Sequence, residues 1–161
     1  MPLNIDIEGP GPGANRFLAC FKDVMLEAAA TSFQLHLQVP PAMVSRTYNA
    51  SIALCAPLVA IAANSPFLFG QALWKETRIP IFEQSLQQFH GPERVTLGSG
   101  YAGDDITELF EENLLEYPVL LPVQAGEPVR CYSCVRLQNG TIWRWVRPIV
   151  GFDPDGTPHV R

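Results

Sequence analysis

The sequence predicts an α+β fold, an antiparallel sheet with helices packed on one face, and three observations carry that expectation. Residues Ser32–Val39 alternate: Phe33, Leu35, Leu37 and Val39 fall on one face of a strand, and Gln34, His36 and Gln38 on the other. A long apolar run, Ala42–Ala63, is bounded by Pro40-Pro41 and Asn64-Ser65-Pro66 and reads as a helix. Two turn signals, Asn139-Gly140 and Asp153-Pro-Asp-Gly156, punctuate short apolar segments near the C-terminus and predict hairpins.

Taken in order, Met1–Gly13 is rich in Gly and Pro and predicts a flexible arm, leaving residues 14–161 as a single domain. Its Gly-Pro run is no phosphate loop, because prolines remove the N–H donors and no Lys-Ser/Thr follows. Asn15–Ala30 has helical spacing through Phe17, Leu18, Phe21, Val24, Met25 and Ala28. The strand at Ser32–Val39 follows, then the Ala42–Ala63 helix. That helix is apolar nearly all round from Ile52 on, as expected for burial on most sides, and is kinked at Pro57. Gly70 marks a tight backbone position. Trp74–Phe82 reads as a strand or extended segment leading into a short helix, Ile81–Phe89.

His90–Gly103 is loop-like, with a short strand near Val95–Leu97. Asp104 or Asp105 caps a helix through about Tyr117, with Ile106, Leu109, Phe110 and Leu114 buried and Glu111-Glu112-Asn113 on a solvated face. Pro118–Val123 reads as a strand. Val135–Leu137 and Thr141–Trp143 read as the arms of the Asn139-Gly140 hairpin.

The chain has 161 residues, 47% apolar and 17% charged, which suits a globular domain with a real core. A net charge of −5 and the lack of a basic cluster argue against a nucleic-acid surface. Residues 50–63 are too short an apolar run to span a bilayer, and no secretory signal opens the chain. A cytoplasmic, reduced protein is expected. Cys55 reads as a buried thiol. Cys131-Tyr-Ser-Cys134 lacks the further ligands that zinc needs and reads as chance spacing in a strand.

Some residues carry chemistry by type. An imidazole between two amides, Gln34-Leu-His36-Leu-Gln38, looks more like the floor of a site than a solvent face, though a lone strand histidine is more often structural. Arg78 is either a surface cation paired with Glu76 or a fork that grips a carboxylate or phosphate. In Trp143-Arg-Trp-Val-Arg147 an unbulged strand puts Arg147 with the two tryptophans and Arg144 on the opposite face. Both arginines then cannot enter one pocket.

Several of these stretches occur together and in order: Gln34-Leu-His-Leu-Gln38, Tyr48-Asn49, Ala63-Asn-Ser-Pro-Phe-Leu-Phe-Gly70, Leu73-Trp-Lys-Glu-Thr-Arg-Ile79, Asn139-Gly-Thr-Ile-Trp-Arg-Trp-Val-Arg-Pro148 and Gly156-Thr-Pro-His-Val-Arg161. Together they resemble the carboxylate–amine ligases of the second glutamate–cysteine ligase family, over roughly residues 20–161. The resemblance implies a glutamine-synthetase-like sheet whose concave face holds the site. It implies ATP and Mg²⁺ as cofactors, a glutamate-like acid and an amine as substrates, and amide formation through an acyl phosphate, as in glutathione biosynthesis. It implies His36 at the metal and nucleotide site and Arg78 in a catalytic role. It further implies Gln34, Gln38, Asn49, Arg144, Arg147 and Arg161 as substrate- or nucleotide-binding residues. The family's acidic metal ligands lie on an N-terminal strand and on an Arg-Ile-Glu-x-Arg strand, and this sequence matches neither. An inactive fragment of the domain is therefore expected, with unpaired strand edges that favour a homo-oligomer. The other reading is a non-catalytic remnant or interaction domain that binds a nucleotide or a partner chain.

Overall fold

The computed structural model describes residues 2–23, 25–87, 91–122, 126, 128 and 131–161. It is mixed α+β. The described β-structure consists of three two-stranded antiparallel ladders: β1 (Leu3–Glu8) with β2 (Arg16–Phe21), β3 (Phe67–Leu68) with β4 (Gln71–Ala72), and β5 (Val150–Phe152) with β6 (Pro158–Val160). The α-helices are α1 (Val44–Ala62), α2 (Arg78–Leu86), α3 (Thr107–Glu116) and α4 (Ser133–Gly140). The chain expected as one domain divides into two compact units: Met1–Gln34 with Cys55–Glu93, and Leu35–Leu54 with Arg94–Arg161.

The first unit is built on β1 and β2. Leu3, Ile5 and Ile7 are buried and their neighbours Asn4, Asp6 and Glu8 exposed, the period of two that a half-buried strand requires. They join Phe17, Leu26, Leu68, Leu73 and Ile81 in one core cluster. The residues expected as a flexible arm are thus a core strand. The Gly-Pro run supplies the turn into β2, with Gly11 and Gly13 at φ of 101° and 74° and the Gly9 N–H donating to Asn15 O at 2.8 Å. The helix expected at Asn15–Ala30 is replaced by β2 and a 3₁₀ segment, Met25–Ala30. Phe17, Ala19 and Phe21 turn inward together while Leu18 is exposed, so period two overrides the helical spacing.

The Ser32–Val39 strand does not form. Residues 31–38 are exposed and outside any ladder, and Val39 alone bridges, to Val160. A strand exists only where a neighbour accepts its hydrogen bonds, whatever its alternation. The α1 helix forms where expected, with Pro57 inside it. Its burial differs: Val44 and Tyr48 are its buried residues, and Leu54, Leu58, Val59 and Ile61 are exposed. Apolar composition sets what could be covered, and packing decides what is. After α1, β3 and β4 are joined by Phe69-Gly70, both left-handed, the two-residue turn that matches strand twist. Phe69 is held in that strained conformation beside the rings of Phe17 and Phe21, at centroid distances of 5.6 and 6.3 Å. The α2 helix starts at Arg78 rather than Ile81; the expected end at Phe89 lies outside the described residues.

In the second unit, α3 begins with Ile106 as its N-cap, one residue after the expected Asp104 or Asp105, and without a side-chain cap; Asp105 Oδ1 accepts from the Thr107 N–H at 2.9 Å just ahead of it. The buried face of α3 is shifted. Leu109 and Asn113 are buried and Leu114 is exposed, so the supposed solvated stretch carries an inward amide. The larger correction is at Asn139-Gly140. The residues around it form helix α4, and Asn139 is buried, with its Nδ2 donating to Pro148 O at 2.9 Å. No ladder forms at residues 118–122; Val123 lies outside the described residues. The Asp153–Gly156 turn does join two strands, with Gly156 at φ 86° and the Thr157 N–H bonded to Asp155 at 2.9 Å.

Candidate functional site

In the first unit, the Asn64–Arg78 stretch folds back on itself. The Thr77 N–H donates to Ser65 O at 2.9 Å, which brings Glu76 and Arg78 beside Asn64. Arg78 grips Glu76 with both sides of its fork: Nε to Oε1 at 2.6 Å and Nη2 to Oε2 at 2.7 Å. Its Nη1 donates to Thr31 O at 2.9 Å and its Nη2 also donates to Asn64 Oδ1 at 3.0 Å. Arg78 and the backbone N–H of Asn64 hold the Glu76 carboxyl below its usual range, while burial opposes them. The guanidinium faces a carboxylate, the chemistry expected of it, and here that carboxylate is the chain's own.

Gln34, His36 and Gln38 are exposed along the 31–38 segment, which lies outside the β-ladders. Among the described residues no group of three His, Cys, Asp or Glu is placed to hold a metal ion. Mg²⁺ prefers hard oxygen ligands and His36 offers a nitrogen, so among the described residues His36 has no ready-made set of metal-holding neighbours. The four cysteines are free thiols; Cys55, expected to be buried, is half-buried, and that burial pushes its thiol up.

In the second unit, Asn49 on α1 clamps the backbone of Ala102. Its Nδ2 donates to Ala102 O and its Oδ1 accepts from the Ala102 N–H, both at 2.8 Å. Arg144 is buried. Its Nη2 donates to Asn113 Oδ1 at 2.7 Å and lies 2.9 Å from Glu112 Oε1. Asn113 passes the chain on to Asn139 at 3.0 Å. Burial pushes the Glu112 carboxyl up, but Arg144 and Ser99 outweigh it and hold it low. Gly98, at φ 75°, lies against the Arg144 guanidinium where a side chain would collide with it. Asn49 and Arg144 are thus engaged inside the fold.

Arg147 is placed differently. It lines a concave pocket of about 590 Å³ with Arg136, Arg161, Phe110, Phe152 and Gly151. None of the described lining residues is acidic. Arg147 donates from Nη1 to the carbonyls of Ile142 at 2.9 Å and Asn139 at 3.3 Å, and burial pushes its pKa down. The strand expected through Trp143–Arg147 does not form, since no strand lies between α4 and β5; Arg144 is buried and Arg147 lines the cavity. Of the expected residues, Arg147 and Arg161 come together here. Arg136 was missed. Its place on α4 could not be seen while Asn139-Gly140 read as a hairpin.

This is a mixed α+β architecture. A family model described as Glutamate-cysteine ligase family 2 matches residues 14–108. That is more than half of the chain, and the chain belongs to that family. The match includes Gln34, His36, Gln38, Asn49 and Arg78; Arg136, Arg144, Arg147 and Arg161 lie beyond it. No curated protein and no solved structure matches the chain. Among the described residues no helix is long and apolar enough to cross a membrane.

Proposed function

We propose that the chain contributes the anion-binding part of an ATP-dependent carboxylate–amine ligase and does not turn over by itself. The observation that carries this reading is the family match over residues 14–108. In that chemistry an oxygen of a glutamate-like carboxylate attacks the γ-phosphorus of ATP and the bond to ADP breaks. The nitrogen of an amine then attacks the acyl carbon, phosphate leaves, and the surplus amine proton passes to solvent. Cations facing the phosphoryl oxygens offset the charge that gathers there. Mg²⁺ would supply such charge when bound with the phosphates; among the described residues no group of three acidic, His or Cys side chains is placed to hold it alone.

Arg147 and Arg161 are proposed to receive the phosphate or carboxylate oxygens. Arg78 is proposed to recognise the acid substrate by exchanging Glu76 for its carboxylate, with Gln34 and Gln38 as hydrogen-bonding partners. Asn49 is proposed to hold the backbone at Ala102 and Arg144 to hold α3 through Glu112 and Asn113, and His36 would assist at the phosphate. Small molecules, not nucleic acid, are the proposed partners, and a cytoplasmic setting is proposed with them.

The test has two arms on the purified chain: titration with ATP and with glutamate, and a coupled assay for ADP release with ATP, Mg²⁺, glutamate and cysteine. Saturable binding without ADP release is expected. Metal-dependent turnover would overturn the proposed inactivity. No binding of either compound would replace this reading with a plain interaction domain.

A further inference from the structure

We propose that Cys131 and Cys134 close a reversible disulfide, a redox switch on the docking of α4 against the β5–β6 hairpin. The inference goes beyond the ligase reading and does not depend on it. Three observations carry it.

The first is placement. Cys131-Tyr-Ser-Cys134, expected as chance spacing in a strand, instead opens α4. Cys134 is the second residue of that helix, and Cys131 lies just ahead of its N-cap, Tyr132. Both are free thiols, Cys134 exposed and Cys131 half-buried. An exposed thiol that meets an oxidant first, with a second thiol three residues away to resolve it, is the arrangement of a reversible redox pair. Zinc would need further ligands, and among the described residues no metal-holding group is present, which leaves the pair to thiol chemistry.

The second is the backbone between the two thiols. Tyr132 is left-handed, at φ 50° and ψ 30°, a conformation that an aromatic residue adopts only at a cost. The helical ladder starts at this residue, whose carbonyl accepts from the Arg136 N–H at 2.9 Å. In a continuous helix residues i and i+3 share a face, with Cβ atoms close to the separation that a disulfide spans. One left-handed residue interrupts that path. Rotation of Tyr132 into the right-handed region relieves its strain and sets the two cysteines at helical spacing.

The third is what holds Tyr132. Its ring stacks on Phe152, the last residue of β5, at 6.4 Å between centroids and 19° between planes. Arg136, one turn further along α4, lies over the same ring, its guanidinium carbon 5.5 Å from the centroid. These ring contacts offset the backbone strain in the dithiol form. The disulfide form gives up the Tyr132 stack, because the ring moves with its backbone, and α4 loses that hold on the hairpin. Redox state and docking are therefore linked, and a change that favours one state of either biases the other.

Exchange with a small-molecule disulfide balances the step. The Cys134 thiolate attacks one sulfur of the reagent, whose S–S bond breaks and releases a thiol. The Cys131 thiolate then attacks the Cys134 sulfur of the mixed disulfide, forms the Cys131–Cys134 bond and releases the second thiol. The protein loses two electrons, the reagent gains them, and both thiol protons pass to the released thiolates.

The experiment equilibrates the whole reduced chain in buffers of bis(2-hydroxyethyl) disulfide and 2-mercaptoethanol, alkylates the remaining thiols and maps them by mass spectrometry. A Cys131–Cys134 link within one chain is expected, with no protein disulfide at Cys20 or Cys55. Cys131→Ser should accumulate a 2-mercaptoethanol adduct on Cys134, since nothing resolves it. Phe152→Ala and Tyr132→Ala each remove the stack and should raise the equilibrium constant for the disulfide roughly threefold to tenfold, the worth of one aromatic pair. Circular dichroism establishes which variants are folded, and either of the two suffices. Adducts on Cys134 without the Cys131–Cys134 link, links only between chains, or an unchanged equilibrium constant in a folded stack variant would overturn the proposal. None of these readouts uses a nucleotide or an amine, so the ligase reading stands or falls separately.

Discussion

At the scale of single residues, Arg78 and Arg147 show how a guanidinium's role depends on what already faces it. Arg78 is closed by Glu76, two residues away, and by oxygens of Thr31 and Asn64. Arg147 is oriented by carbonyls and left with a charge to match. The Glu76–Arg78 pair makes a pH-dependent contribution to stability. The folded state holds the Glu76 carboxyl below its usual range, so the unfolded chain binds that proton more readily. The stabilisation is complete above the unfolded glutamate pKa and is lost as pH falls through the folded one. Glu76→Gln should therefore lower the melting temperature at neutral pH and lower it progressively less as the medium is acidified past the ordinary glutamate range. Thermal melts of both proteins across pH check this. A constant difference at all pH values would rule out the ion pair as its source.

At the scale of elements, the clearest contest is between hairpin and helix at Asn139-Gly140. A two-residue hairpin turn would need a left-handed Gly140. In α4 the residue is helical, is absent from the positive-φ glycines, and has open space where a side chain would stand. Gly140→Ala should accordingly stabilise the protein by about 0.5–1 kcal/mol, because alanine loses less backbone freedom on becoming helical. Urea denaturation measures it, and destabilisation by a similar amount would indicate the turn instead. Asn139 explains why the helix wins. Its amide is spent on Asn113 and Pro148 within the buried network that also holds Arg144, and no local turn preference competes with satisfied buried hydrogen bonds.

At the scale of the whole molecule, the features left uncovered matter as much as the core. Each described ladder has two strands and so presents edges. Leu54, Leu58, Val59 and Ile61 of α1 are exposed. Unpaired edges and a run of exposed apolar side chains both favour association. The weight-average mass from sedimentation should rise with protein concentration and should persist in high salt, because burial of apolar surface is not screened. A monomer across the accessible range would refute this. Leu58→Gln should reduce the association while leaving the secondary structure intact.

What the sequence by itself determined are the elements whose signals are local. Proline pairs and Asn64-Ser65-Pro66 bracket α1; the Asp104-Asp105 stretch marks the start of α3 to within two residues; and Asp153–Gly156 turns β5 into β6. Each depends on backbone groups within a few residues, so neighbours in sequence suffice. The family, too, was legible, in motifs around His36, Asn64 and Arg78 that fall inside the matched residues. The tertiary structure decided the rest. Ser32–Val39 alternates as a strand should, yet a β-bridge forms only at Val39 among its described residues. Leu3, Ile5 and Ile7 alternate under a Gly-Pro run that concealed them, and they become core because β2 pairs with them. Arg136, Arg147 and Arg161, far apart in the pattern, meet in one pocket only once α4 and the β5–β6 hairpin are in place. The physical reason is common to all three. A ladder, a buried face and a cluster of like charges are each properties of pairs of segments, and a single segment carries no record of which partner it will meet.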